Sequence, residues 1–426
     1  MSLLVKEARN MFFFLILAIF IGTIAMIAVY ALPTEKMYHH VQGITEMYHS
    51  AETQPRWATG RHTALDNFTD SVMLMTAIHP SSGSVVADAM SNARWNHYSE
   101  SSDNPVSYLI DKTQRNEQID TSPPVLYPRY WHGYLTVLKP LLLATKVQNI
   151  RILNSYLQFL LLLTVMFAIY KQLGTAYVVA FSLTVLTINP VTTALSFQNS
   201  TIFYIILVSV LILMKWNDIF RQKKLYPYFF LWIGICTAFF DFWTYPVTSI
   251  GIPLIFVFLL NKSSYPSIAT WLGDMFHNIA AWGFGYIGMW SGKLMMHTCL
   301  MDSSVIADTM NYITQYQMKL DVSPTVSMTP VSAIHQNLLA FWQDPLKIIL
   351  ILSLIYFLFR CVAGKHLTAE KVTVIAFLSI GLLPFLWYSI VPKHSYIHIF
   401  FTYRELATTV FSITCLALSM MPKKSY

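Results

Sequence analysis

The strongest constraint on this chain is a series of apolar runs long enough to cross a bilayer. The first, Met11 to Ala31, follows Lys6 and Arg9. It exceeds the roughly 7 to 15 residues of a cleavable signal core and matches the ~20 residues needed to span about 30 Å of hydrocarbon, so it reads as a retained helix. Further runs fall near residues 149–170, 175–190, 195–214, 226–241, 245–260, 276–294, 346–360, 372–391 and 397–420. The expectation is an all-α polytopic membrane protein, a single membrane domain over 1–426, with about ten transmembrane helices. Charged residues make up 12% of the chain, against about 25% in a soluble protein, which excludes a soluble globular enzyme. The four cysteines, Cys236, Cys299, Cys361 and Cys415, are far apart and suggest neither a disulfide framework nor a metal knuckle.

Positive charges set the expected orientation. With a cytoplasmic N-terminus, the short inner loops hold Lys171, then Lys215, Arg221, Lys223 and Lys224, then Lys262, then Arg360, Lys365 and Lys371, and finally Lys423 and Lys424. The short outer connections hold almost none, so the positive-inside rule puts both ends in the cytoplasm. The net charge of +7 therefore reports orientation rather than a nucleic-acid partner. Two long segments, 32–148 and 297–345, then lie outside. The first carries about half of the acidic residues along with Trp57, Trp95 and Trp131, the composition of a folded lobe. Its helices read as short: Thr69 to Ile78 follows an acid suited to a helix N-terminus, and Leu135 to Ala144, too short to span and containing Pro140, reads as interfacial.

Four groups of polar residues need an explanation. Asp66-Asn67-Phe68-Thr69-Asp70 sets two carboxylates one helical turn apart; a helix N-cap accounts for them, as does a general base held beside a membrane-facing cavity. Tyr127 to Tyr134 packs Arg129, Trp131 and His132 among tyrosines, which suits an aromatic belt, a stacked sugar ring or a phosphate. Asp241 stands alone at the outer mouth of two spans, either as a functional acid or paired with Arg404. Arg404 itself is expected about two turns inside the last helix, meeting Asp241 or an incoming phosphate, with Lys293 available to the same anion site. Glu405, its neighbour, is expected to point elsewhere. His394 and His398 are one turn apart, but without a third ligand they read as hydrogen-bonded polar residues rather than a metal site.

In its ordering, with one span, a large outer segment bearing an early aspartate, many short-looped spans, a second outer segment and late cations, the chain resembles the GT-C class of membrane glycosyltransferases, in particular bacterial enzymes that modify cell-envelope polysaccharides. The motifs carrying this likeness are Asp66 to Asp70, Tyr127 to Tyr134 and His394 to Arg404. The resemblance implies an extracytoplasmic lobe of short interfacial helices in a plasma membrane. It also implies a polyprenyl-phosphate-linked sugar donor, a glycan or lipid acceptor, and inverting transfer with Asp66 or Asp70 as base. Arg404, with His398, Lys293 or Arg129, would meet the departing phosphate. No nucleotide site is then required; no cofactor is fixed by the resemblance, and a divalent cation stays open. No Walker or dinucleotide glycine motif is present, and Gly283-Phe284-Gly285-Tyr286 reads as helix packing. The competing expectation is a secondary transporter or flippase of lipid-linked sugars, although no paired halves are evident.

Overall fold

The structure is a computed structural model that describes residues 3–48, 52–56, 63–98, 104–117, 122–301, 304–322, 327–342, 370–420 and the isolated positions 351, 355 and 359. Trp57, most of the expected 346–360 span, Arg360, Lys365, Lys423 and Lys424 lie outside the described residues. Among the described residues the fold is all-α apart from a two-residue antiparallel ladder, Asp321–Val322 with Ser327–Met328.

Among the described residues, four helices are long and apolar enough to cross a membrane: Val5–Tyr30, Val147–Leu173, Phe197–Lys223 and Lys371–Ile390, the last formed by two helices joined at Leu382. We call Leu3–Tyr30 α1. A lobe of short helices follows as α2 (Thr34–Val41), α3 (Ile44–Met47), α4 (Asn67–Ile78), α5 (Val85–Ser91), α6 (Pro105–Gln114) and α7 (Leu135–Ala144). Next come α8 (Val147–Leu173), α9 (Thr175–Ile188), α10 (Pro190–Leu195), α11 (Phe197–Lys223), α12 (Tyr226–Phe240), α13 (Thr248–Asn261) and α14 (Ile268–Met301). The segment 297–345 includes α15 (Ile306–Tyr312) and α16 (Pro330–Trp342). Only 17% of the most apolar stretch of α8 is buried, and Phe159, Leu160 and Phe167 are exposed along it, the surface a lipid-facing helix presents.

The short helices of the lobe and the ten-residue Leu135–Ala144 match the sequence expectation. Two of the apolar runs differ from it. The 175–190 run stops at Asn189, whose left-handed backbone and side-chain cap start α10, so α9 has 14 residues and is about 21 Å long. The 397–420 run is not one helix: Ile399–Thr402 leads into a 3-10 turn, Tyr403–Glu405, and then Leu406–Ser419.

The most extensive helix pair is α12 with α14. A Cβ on Gly234 would lie 2.1 Å from the Trp282 carbonyl oxygen, and one on Gly285 would lie 2.3 Å from that of Leu231. Two glycines thus let the backbones touch from both sides, the small-residue contact that joins helices in lipid. Gly283 meets nothing within 4 Å, so Gly285 carries the packing expected of that motif. Gly285→Ala should destabilise the protein by about 1–3 kcal/mol through overpacking, whereas Gly283→Ala should leave it unchanged; thermal unfolding midpoints in detergent decide this.

Two buried lysines tie the lobe together: Lys139 of α7 joins two of its helices, and Lys293 of α14 joins it to the long helices. Lys139 Nζ donates to the Ala77 carbonyl at 2.9 Å, at the end of α4. Lys293 Nζ donates to the carbonyls of Ala89 and Met90 at 3.0 and 2.9 Å, at the end of α5. A cation there satisfies open carbonyls and complements the helix dipole.

Candidate active site

Helix α4 begins with Asp66 as its cap, where Oδ1 accepts the Thr69 amide at 3.0 Å. The residue is 3% exposed, and Oδ2 is buried with no hydrogen-bond partner. Burial pushes the Asp66 carboxyl up to about 6, with Asp70 adding to the rise and the Thr69 bonds and Arg404 opposing it.

Asp70, one turn on, is in a different situation. Oδ2 pairs with Arg151 Nη2 at 2.7 Å, and Oδ1 accepts the Phe197 amide at 3.0 Å and the Ser196 hydroxyl at 3.3 Å. The carboxylate stitches α4 to α8 and to the first turn of α11. Burial raises it above the ordinary carboxylate range, with Arg151 the main opposing influence. The two acids expected to compete for one role thus divide: Asp70 is consumed by structure, and Asp66 keeps a free oxygen.

The remaining sequence candidates find partners within the fold. Arg404 lies in the 3-10 turn rather than inside a continuous helix, and its Nε, Nη1 and Nη2 donate to Ile188 O, Phe400 O and Thr192 Oγ1 at 2.8, 2.8 and 3.1 Å. It makes no ion pair with Asp241 among the described residues. Asp241 instead accepts the Thr244 amide at 2.9 Å and the Thr244 hydroxyl, closing its own turn. Lys293, capping α5, is withdrawn from the anion site expected for it. Trp131 is fully buried with Nε1 on the Met289 carbonyl at 2.6 Å, so its ring belongs to the core and offers no sugar platform. His132 donates from Nε2 to Tyr127 O at 3.1 Å and accepts at Nδ1 from the Tyr134 hydroxyl at 3.3 Å; burial lowers it to about 3, which makes it neutral and not the near-cation expected. Arg129 pairs with Asp308 at 3.3 Å and stacks 3.9 Å over the Tyr312 ring. His394 uses both ring nitrogens, on Gln317 Oε1 and Trp243 O, each at 2.8 Å. His398 lies with its ring 4.7 Å from that of His394 and stacks on Phe401. Among the described residues, no three His, Cys, Asp or Glu side chains gather to hold a cation.

Three participants escaped the sequence reading. Glu405, expected to point elsewhere, caps α13 by accepting the amides of Val247 and Thr248 at 3.1 and 2.9 Å and the Thr248 hydroxyl at 2.9 Å. Arg151 sits in an apolar run and carries no local signal of its distant partner. Arg56 is exposed and lines a cavity of about 540 Å³ with Gln54, Gln336, Tyr396, Ile399 and Phe400.

Asp66 and Arg404 are buried and do not line that cavity, but each is one bonded neighbour away from its wall. Its wall at 53–56 is tied to the Asp66 segment through Leu65 N to Pro55 O at 2.9 Å and Phe68 N to Thr53 O at 3.0 Å. Phe400, on the opposite wall, accepts from Arg404. The Asp66 carboxylate and the Arg404 guanidinium are within electrostatic reach of each other. A second cavity, of about 490 Å³, adjoins through Gln54 and is lined also by Glu52, Thr53 and Asn104. A third, of about 660 Å³, is apolar and runs among α7, α8, α11 and α12, with Leu138, Leu157, Ile205 and Trp232 in its walls. It reaches Met73 on α4 and Phe197, the residue whose amide holds Asp70. The site therefore combines a carboxylate of raised pKa, a polar cavity with an exposed arginine, and an apolar groove at the depth of two spanning helices. Comparison of the chain with protein-family models, curated proteins and solved structures gives no match.

Proposed function

We propose that this protein is an inverting membrane glycosyltransferase of GT-C-like architecture that moves a sugar from a polyprenyl-phosphate donor to a glycan or lipid acceptor. The observation that carries this reading is the Asp66 carboxylate: buried, with one oxygen free, on a segment whose backbone is bonded to the wall of a polar cavity. In the reaction, an acceptor hydroxyl gives its proton to Asp66 Oδ2 while its oxygen attacks the anomeric carbon. The bond from that carbon to the phosphate oxygen breaks, and the phosphate leaves with the electron pair. Arg56 is the cation on the cavity wall and makes no ion pair among the described residues, so it suits the charge developing on the phosphate; Arg404 contributes from behind the wall through its field. The apolar groove accommodates the lipid chain of the donor, and the four long apolar helices support a membrane setting.

The finer topology is part of the proposal: about ten spans, both termini cytoplasmic, and residues 32–148 and 297–345 on the outer face of a plasma membrane. The test fills the groove. Ile205→Trp should raise the KM for a long-chain polyprenyl-phosphate sugar by about tenfold and leave transfer from a short-chain donor unchanged, as read from radiolabelled product in vesicles. Equal kinetics for both donors in the variant and the wild type would remove the groove from the mechanism.

A further inference from the structure

The turn after α5 buries a guanidinium that has no carboxylate partner among the described residues. Arg94 is 6% exposed, and its backbone is pinned by a two-way bridge to Val125, at 3.1 and 3.0 Å. Its Nη1 donates to His97 Nδ1 at 2.7 Å, while Nε is buried with no partner. Arg94 forms no ion pair among the described residues. A guanidinium cannot shed its proton, and burying it without a counter-charge is expensive, so a bare site of this kind is suited to an anion supplied from outside.

The surroundings fit that anion. A second guanidinium, Arg129, lies 5.3 Å from the centroid of the Tyr127 ring, on the stretch of chain that bridges to Arg94 through Val125 and to Ser91 through the Tyr127 amide, and its Nε is likewise buried and unpartnered. The carboxylate facing Arg129, Asp308, has a side chain 71% exposed, the kind of pairing that contributes little and yields to a better ligand. The Arg94 guanidinium lies 5.6 Å from the ring of Tyr98, a side chain 57% exposed, and the His97 ring is 4.0 Å from that same ring. Phe68, two residues beyond Asp66, contacts His97 at 6.2 Å between centroids, so the cluster borders the proposed active site without sharing its cavity.

We propose that Arg94 and Arg129, with the open face of Tyr98, form an oxyanion-binding site in the outer lobe that takes a phosphate or carboxylate carried on a sugar or similar small ring. Forked N–H donors grip two oxygens of such a group at once, and the tyrosine ring stacks against its apolar face. The site is separate from Arg56 and does not rest on the transferase reading.

Equilibrium dialysis of full-length detergent-purified protein against radiolabelled methyl phosphate and radiolabelled glucuronate tests it without any turnover. Saturable binding to the wild type is expected, weakened at least tenfold in Arg94→Gln and about threefold in Arg129→Gln, with Arg94→Lys retaining part of it. Preference for methyl phosphate identifies a phosphorylated ligand, and preference for glucuronate an acidic glycan. Failure of both probes to bind the wild type saturably would overturn the proposal, as would wild-type affinity in folded Arg94→Gln. If Arg94→Gln does not fold, wild-type affinity in Arg129→Gln overturns it.

Discussion

Asp66→Asn is expected to lose transfer activity by about 10² to 10⁴-fold while keeping its fold, because asparagine caps a helix as well as aspartate does but takes no proton. The pH profile makes the prediction sharper. A base raised to about 6 is competent only when ionised, so wild-type kcat/KM should rise with pH through about 6 and level off above it, and the variant's residual rate should show no such step. Stability should move the other way. A carboxyl raised from 3.8 to about 6 in the fold holds its proton more tightly folded than unfolded. Its penalty is therefore absent below the unfolded value, grows as pH rises through that window, and is complete above about 6, where it is on the order of 3 kcal/mol. Asp66→Asn should consequently unfold at the same temperature as wild type near pH 4 and at an equal or higher one near pH 8. A variant that loses activity and stability together would make Asp66 a structural cap and nothing more.

Asp70→Asn should do the opposite. It leaves Arg151 buried without its counter-charge, and breaking such a pair is strongly destabilising, by about 3–5 kcal/mol. Arg151→Met should have an effect of the same size, since the carboxylate then keeps only the Phe197 amide and the Ser196 hydroxyl. The double variant should recover part of the loss, because two neutral groups impose no unpaired charge. Detergent unfolding midpoints measure all three. The two aspartates are thus told apart by kind of failure: Asp66→Asn yields folded, inactive protein, whereas Asp70→Asn yields less folded protein whose surviving fraction still turns over.

The helical character of the apolar runs, the short helices of the lobe and the ten-residue Leu135–Ala144 were legible because each is written in local periodicity and length. The N-cap at Asp66 was legible for the same reason. Which of two acids stayed free was not, because the answer depends on Arg151, 81 residues from Asp70, and on the start of α11, 127 residues away. Lys293 looked like an anion ligand since charge at an outer helix end invites that reading; its carbonyl partners lie 204 and 203 residues away. Arg404 looked embedded in a helix because Tyr403-Arg404-Glu405 contains neither glycine nor proline to announce a break. Its turn is held from outside, by Ile188 and Thr192 on one side and by the amides that Glu405 caps on the other. Side-chain capping of remote helices by buried charge is a tertiary event, and composition gives no account of it.

The central claim is most directly tested by incubating vesicles that contain the purified protein with a panel of radiolabelled polyprenyl-phosphate sugars and glycan or lipid acceptors, while following lipid movement between leaflets in parallel. The account predicts labelled glycoside product with inverted anomeric configuration from wild type, and none above background from Asp66→Asn of equal thermal stability. Absence of product across the panel, together with movement of labelled lipid between leaflets that Asp66→Asn leaves unaltered, would contradict it and identify a transporter of lipid-linked sugars.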